Sequence, residues 1–393
     1  MTESSSNETQ LSLFDSGPFP HIQKPLQLLQ PTGRATSFKV AVVLLLGWVP
    51  LVLLVILQGL TRYNHPLASF FTDFGVHARS LLAAPLFFVA EAICLPRLGK
   101  IVQHFVAADL IATRDRARFD AIVAATGRHL NSTVAEVLAV LLTYSLIALL
   151  IHFLPPSTFP LWYSPSQQGY PHLSWAGWWY AAVSLPLLLM ILLGWVWRIL
   201  LWSWFLFRVS RMSLHLIPAH PDLAGGLKFL DLSLLAFMPV GFTVGIIAAG
   251  SVANKVVVGR VSLLAFQKPM LALLVVIVIF FVGPLLVFVT SLREHIRRGV
   301  FQYGVLVHGV GEQFEKKWCG GAAIGEDALS APDFSATTDL YAIAANVNQM
   351  RGFPFGLKSV IGLIVATMLP FLPVALMAIP LEVILKEVAA VLF

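Results

Sequence analysis

From Val40 to Leu60 the chain carries no charged residue, reading VAVVLLLGWVPLVLLVILQGL. About 20 apolar residues in a helix cross the hydrocarbon core of a bilayer. The pattern recurs at 80–95, 134–153, 178–207, 232–252, 270–291 and 359–379. Backbone polar groups in lipid must be satisfied within their own segment, and these runs are too long for the tilted strands of a barrel. The expected fold is all-α, a polytopic helical membrane protein of about seven transmembrane helices. The run at 80–95 is the weakest of the early ones and holds Glu91; that at 178–207 is long enough to tilt or to run past the interface. Pro370 and Pro373 interrupt the last run, so six spans with a re-entrant final segment is the competing count.

Composition agrees. Hydrophobic residues make up 58% of the 393 and charged residues 12%, too few to cover the water-facing surface of a large soluble enzyme. Residues 1–38, rich in Ser, Thr, Gln and Pro, lack the layout of a signal peptide and read as a disordered cytoplasmic tail. Residues 39–393 read as one helical membrane domain, its first span both anchor and address. Cys94 and Cys319 fit no metal or disulfide framework and read as free thiols. The net charge of +6 follows membrane orientation here and does not signal nucleic acid.

The loops carry that orientation. Arg97, Lys100, Arg114, Arg116, Arg118 and Arg128 follow the second run, Arg208, Arg211 and Lys228 the fourth, and Arg293, Arg297, Arg298, Lys316 and Lys317 the sixth. The loop after the third has no Lys or Arg. The positive-inside rule then puts the N-terminus and the first three of these loops in the cytoplasm. Lys255 and Arg260 fall on the wrong side, while Trp162, Trp175, Trp178 and Trp179 crowd the outer edge as an aromatic belt. The cytoplasmic connections 98–132 and 292–357 are too long for turns. From Leu98, apolar residues at Ile101, Val102, Phe105, Val106 and Leu110 predict an amphipathic helix that continues the second span or lies on the membrane surface. Val300, Tyr303, Val307, Val310 and Phe314 are spaced like a coiled-coil seam, but Gly304, Gly309 and Gly311 argue against a rigid helix there.

Two tracts resemble each other: Ala84-Pro85-Leu86-Phe87-Phe88-Val89 and Gly283-Pro284-Leu285-Leu286-Val287-Phe288. Both lie in spans running outside to inside, each ahead of a basic helix. This suggests a parallel three-span repeat with the fourth span as linker, and transporters often place a midplane site between repeats.

The candidate chemistry lies in four places. In Ile217-Pro218-Ala219-His220-Pro221-Asp222, Pro221 restricts His220 to extended backbone and Asp222 is placed to cap the helix entering the fifth span. Gly225 and Gly226 then permit close backbone approach. His220 and Asp222 together suit an ion, a proton or a polar ligand; a tightly packed, capped turn is the structural alternative. Glu91 and Arg198 are ionisable residues within spans, toward the cytoplasmic ends of their helices, and are expected to pair or to meet a polar cavity. Glu136, three residues after Thr133, reads as part of a capping box. On the outer side His65, Asp73 and His77 are weak candidates for a metal site, without a supporting motif, and no cofactor is implied. Gly and Pro interrupt several spans, including Pro239, Gly241, Gly245, Gly250, Gly283 and Pro284. They serve either close helix packing or carbonyl exposure along a conduction path.

The run through Ser210-Arg211, Ile217-Pro218, His220-Pro221-Asp222, Ala224-Gly225-Gly226-Leu227 and Phe229-Leu230 resembles a group of uncharacterised bacterial multi-pass inner-membrane proteins. So do Gly283-Pro284-Leu285-Leu286-Val287-Phe288, Tyr303-Gly304, Lys317-Trp318, Asp339-Leu340 and Ile379-Pro380-Leu381-Glu382. The resemblance covers most of the chain past the tail and implies a bacterial inner-membrane address; it brings no catalytic or binding residues. Lys228 stands where that group tends to have Gly. The functional expectation is an oligomeric channel or transporter for an ion or small solute, embedded in lipid. A non-catalytic scaffold docking a protein partner through its cytoplasmic connections is the alternative. A membrane-embedded enzyme comes third, since no nucleophile elbow, kinase-like or phosphate-loop motif is present.

Overall fold

The computed structural model describes residues 33–61, 66–155, 158–165, 172–319 and 332–378. Among them six helices are long and apolar enough to cross a membrane: α1 (Ala35–Leu60), α2 (Phe74–Ala107), α4 (Thr133–Phe153), α5 (Trp175–Ser210), α6 (Lys228–Val258) and α7 (Leu263–Trp318). The shorter α3 (Arg116–Leu130) and α8 (Asp333–Gln349) lie between them. The pair α9 (Leu357–Met368) and α10 (Phe371–Ala378) would be a seventh span, bent by 49° at a break that holds Pro370. No strand occurs among the described residues; Ile111 and Leu214 form one isolated antiparallel bridge. The expected tail falls on residues 1–32, outside the described set, up to Gly33, where helix already begins.

Three helices far exceed a membrane's needs. The lengths of 34, 36 and 56 residues for α2, α5 and α7 compare with about 20 needed to span. The extension of α2 follows the apolar stripe: Leu98, Ile101, Val102 and Phe105 are buried. The extension of α7 corrects a sequence expectation, because the helix runs unbroken through Gly304, Gly309 and Gly311. Glycine's helix penalty is a weak prior that tertiary packing overrides, and here α8 supplies the packing. The Phe334 ring lies 5.0 Å from Phe314 and 4.8 Å from Trp318. A Cβ on Gly311 would come within 3.0 Å of the Tyr341 hydroxyl, so the small residue lets α8 close.

At one end of the bundle, which we call the basic end, the connections hold one another. The Leu110 carbonyl accepts from His215 N at 2.9 Å, and the Leu223 carbonyl from Arg351 N at 2.7 Å. Asp231 ties α6 to α9 by accepting from Gly356 N at 3.1 Å and from the Ser359 hydroxyl at 2.7 Å. The core between the ends is aromatic, with Phe87, Phe105, Phe119, Trp195, Trp202, Phe205, Phe237 and Phe288 almost wholly enclosed.

Helix α6 is the most enclosed span, and its glycines say why. A Cβ on Gly241 would come within 2.7 Å of Thr367 Oγ1; on Gly245 it would overlap the Thr367 carbonyl oxygen, and on Gly250 the Ala78 side chain. Close packing against α9 and α2 therefore accounts for all three. Gly283, grouped by sequence with the tight-packing positions, is corrected: a Cβ there meets nothing within 4 Å. Gly283 and Pro284 instead open a 3-10 segment, Gly283–Phe288, that interrupts α7. Its counterpart tract at Ala84-Pro85 starts regular α-helix. At α4 the cap is Ser132 without a side-chain bond, so Thr133 is the first helical residue and the capping box does not form. Cys94 is buried and Cys319 exposed, both free.

Candidate functional site

At the end opposite the basic one, three spans each depart from α-helical bonding. Ala78–Ala83 of α2, Tyr180–Ser184 of α5 and Asn254–Val258 of α6 are π-helical. Such segments are rare and frequent at functional sites; here residues from all three line one cavity of about 890 Å³. Arg79, Tyr180, Asn254 and Lys255 come from the π segments, joined by Asp73, Trp162, Tyr163 and an apolar wall from α4.

Asp73 organises the cavity floor. Its Oδ1 accepts from Val76 N at 3.0 Å and from Asn254 Nδ2 at 2.8 Å, and its Oδ2 accepts from Trp162 Nε1 at 3.0 Å. Asn254 Oδ1 in turn accepts from Phe74 N at 2.9 Å, pinning the start of α2 to the end of α6. Trp162, expected in an outer belt, is instead 1% exposed, whereas Trp175 and Trp178 are exposed. The Arg79 guanidinium lies 5.9 Å over the Tyr180 ring, and its buried Nε has no hydrogen-bond partner among the described residues. Burial first, then Tyr180 beside it, pushes the Tyr163 hydroxyl up to about 12, so it is a neutral donor at any physiological pH.

His77 turns elsewhere. Its Nδ1 accepts from Trp48 Nε1 at 3.1 Å, which leaves Nε2 to donate to the Phe70 carbonyl at 3.1 Å. Asp73 and His77 thus spend their polar atoms on different partners; His65 lies outside the described residues. Among the described residues no three His, Cys, Asp or Glu side chains gather as a metal would need.

Mid-helix on α2 sits a second cluster. Glu91 Oε2 accepts from Arg198 Nη1 at 3.3 Å, and Oε1 from Lys39 Nζ at 3.0 Å. The side chains of Arg198, Glu91 and Lys39 are 2%, 11% and 11% exposed. Arg198 also lies 5.2 Å over the Trp195 ring. One anion between two buried cations holds the site; removing it would take from both the counter-charge that Glu91 supplies.

At the basic end, His104, His215, His220, Asp222, Lys228 and Asp231 are among the residues lining a cavity of about 630 Å³. Asp222 caps its own loop. Its Oδ1 accepts from Ala224 N at 2.8 Å and Gly226 N at 3.1 Å, and its Oδ2 from Lys228 N at 3.1 Å. The cap reaches Lys228, the first residue of the 3-10 turn that opens α6, while Asp231 stands at the start of the α-helix proper. His220 Nδ1 is 2.8 Å from Asp222 Oδ1. Leu223, Gly225 and Gly226 take positive φ of 58°, 65° and 95°, the conformations that wrap the loop around the carboxylate. Gly225 also lies against Met350 and Gly226 against Leu110, so both need glycine twice over.

Burial raises the Asp222 pKa, but the three backbone donors and His220 outweigh it and hold the carboxyl below its ordinary value of 3.8. A carboxyl depressed on folding stabilises the fold fully above its unfolded pKa and loses that contribution as pH falls through the folded one. Loop protection is therefore expected to be flat at neutral pH and to fall only below about pH 4. Asp222→Ala is expected to cost about 1–3 kcal/mol, seen as faster amide exchange at residues 222–228.

The sequence reading missed Lys39, which stands at the tail boundary, and Arg79, which directly precedes the run at 80–95. The misfit of Lys255 with the positive-inside pattern was the signal available for the opposite cavity.

The helices and the two end cavities define the class, a polytopic α-helical membrane protein. Compared with protein-family models, with curated proteins and with solved structures, the chain finds no match.

Proposed function

We propose that the protein is a membrane transporter or channel for an ion or small solute, acting as a homo-oligomer, with its middle closed in the conformation described. The observation that carries this reading is that α2 and α6 each run from one cavity to the other, with an ion cluster on α2 between them. Helix α2 lines one through Arg79 and the other through His104, and holds Glu91 in the ion cluster between them. At 1.5 Å per residue, Glu91 stands roughly 20 Å along α2 from either. Cavities at opposite ends of a shut bundle suit alternating access, and the π segments and the bend between α9 and α10 supply the broken helices such proteins use. The distribution of Lys and Arg supports a cytoplasmic basic end and N-terminal tail, and the resemblance of the 210–230 tract supports a bacterial inner membrane.

A second reading, a scaffold that docks another protein, draws on the part of α7 beyond the membrane, where Phe301 and Val305 are 72% and 76% exposed. Flux in proteoliposomes separates the two. Ion or solute flux is expected, reduced about tenfold or more by Glu91→Gln, a change worth at least about 1.4 kcal/mol in the barrier. No flux under any gradient or voltage would leave the scaffold reading standing.

A further inference from the structure

The cavity at the Arg79 end has two unlike walls. One is helix α4, through Ile147, Leu150 and Ile151, with Leu154 just past its end. Only 17% of the α4 span is buried, and Leu149 and Phe153 beside this wall are 52% and 73% exposed, so the wall continues onto the lipid-facing surface. The other wall presents Arg79, Lys255, Tyr163 and Tyr180. Among the described residues Asp73 is the only carboxylate lining the cavity, and both its oxygens are already engaged by Val76 N, Asn254 and Trp162. Among the described residues the polar wall therefore offers the Arg79 guanidinium, Lys255, whose ammonium lies 5.9 Å over the Phe266 ring, and the Tyr163 hydroxyl, with no carboxylate left to pair with either cation. It lies near the start of α2 and the end of α6, beside a helix start marked by the exposed Trp175 and Trp178. That is the depth of lipid headgroups.

We propose that this cavity binds an anionic amphiphile from the bilayer, with a phosphate or carboxylate headgroup between Arg79 and Lys255 and its chain along Ile147–Leu154. Guanidinium suits such a headgroup because it donates several hydrogen bonds in a fixed plane. The inference names the ligand class for one cavity of the transport reading and rests on that cavity being a ligand site.

Native mass spectrometry of the full-length protein tests it, with phosphatidylglycerol, phosphatidylcholine of the same chains, and inorganic phosphate as separate probes. Phosphatidylglycerol is expected to bind at about tenfold lower concentration than phosphatidylcholine. Lys255→Gln, at an exposed position and giving up only the ammonium's contact with the Phe266 ring, and Arg79→Gln are each expected to remove that preference, while Arg79→Lys keeps part of it. Equal binding of the two lipids, or a preference unchanged in Lys255→Gln and Arg79→Gln, would overturn the proposal. Inorganic phosphate saturating the site as readily as phosphatidylglycerol would overturn it too, by assigning the cavity to a soluble anion. Lipid preference without flux leaves this site standing and removes the transport reading; flux without lipid preference does the reverse.

Discussion

Replacing Glu91 by leucine is expected to destabilise the folded protein by about 3–5 kcal/mol, the cost of stranding buried charge. The size follows from the arrangement, since Glu91 bonds Arg198 through one oxygen and Lys39 through the other. Leucine removes the acceptor and leaves the 2%-exposed guanidinium with no counter-charge from Glu91. The double variant Glu91→Leu with Arg198→Met is expected to recover most of the loss, because a well-packed apolar pair replaces a buried ion pair at little net cost. Unfolding titrations in detergent micelles read both. A single variant as stable as the parent, or a double variant no better than the single, would show that water or another group already compensates Arg198.

The second large effect is steric. Gly245→Ala is expected to cost at least about 1–3 kcal/mol, because the new methyl group lands on the Thr367 carbonyl oxygen and backbone must move. A side chain would swing away; the Thr367 carbonyl, in the last turn of α9, can yield only if the backbone there shifts. Gly283→Ala is the matched control. It opens into free space at a break in α7, so it is expected to be neutral or stabilising by up to about 1 kcal/mol. The same titration ranks the two, and equal costs would mean that α6 and α9 sit farther apart than their contact geometry implies.

These results bear on what the sequence disclosed. The spans were legible because hydrocarbon thickness imposes a length on each apolar run. Their ends were not, since α2 and α7 continue past the apolar runs on amphipathic stripes, where helix and surface segment share one pattern. Gly304, Gly309 and Gly311 misled for a related reason: local propensity spoke against a helix that α8 stabilises from a distance. Glu91 and Arg198 stood out as charges in apolar runs, and the structure brings them to 3.3 Å. Lys39 did not stand out, because a charge at a span's edge is ordinary. The Arg79 cavity was hidden most deeply. Its residues come from distant parts of the chain, and a π segment has no composition of its own to betray it.

Those π segments carry a consequence beyond the cavity they line. Each holds one residue more than an α-helix needs, a surplus that behaves like a dislocation in a crystal lattice. It can glide along the helix by exchanging one hydrogen bond at a time, and every residue it passes turns by about 100° without the ladder coming apart. Arg79 lies inside such a defect, within Ala78–Ala83. The guanidinium is thus mounted where the facing of α2 is least costly to change, while Glu91, further along the same helix, is held in register by its two cations.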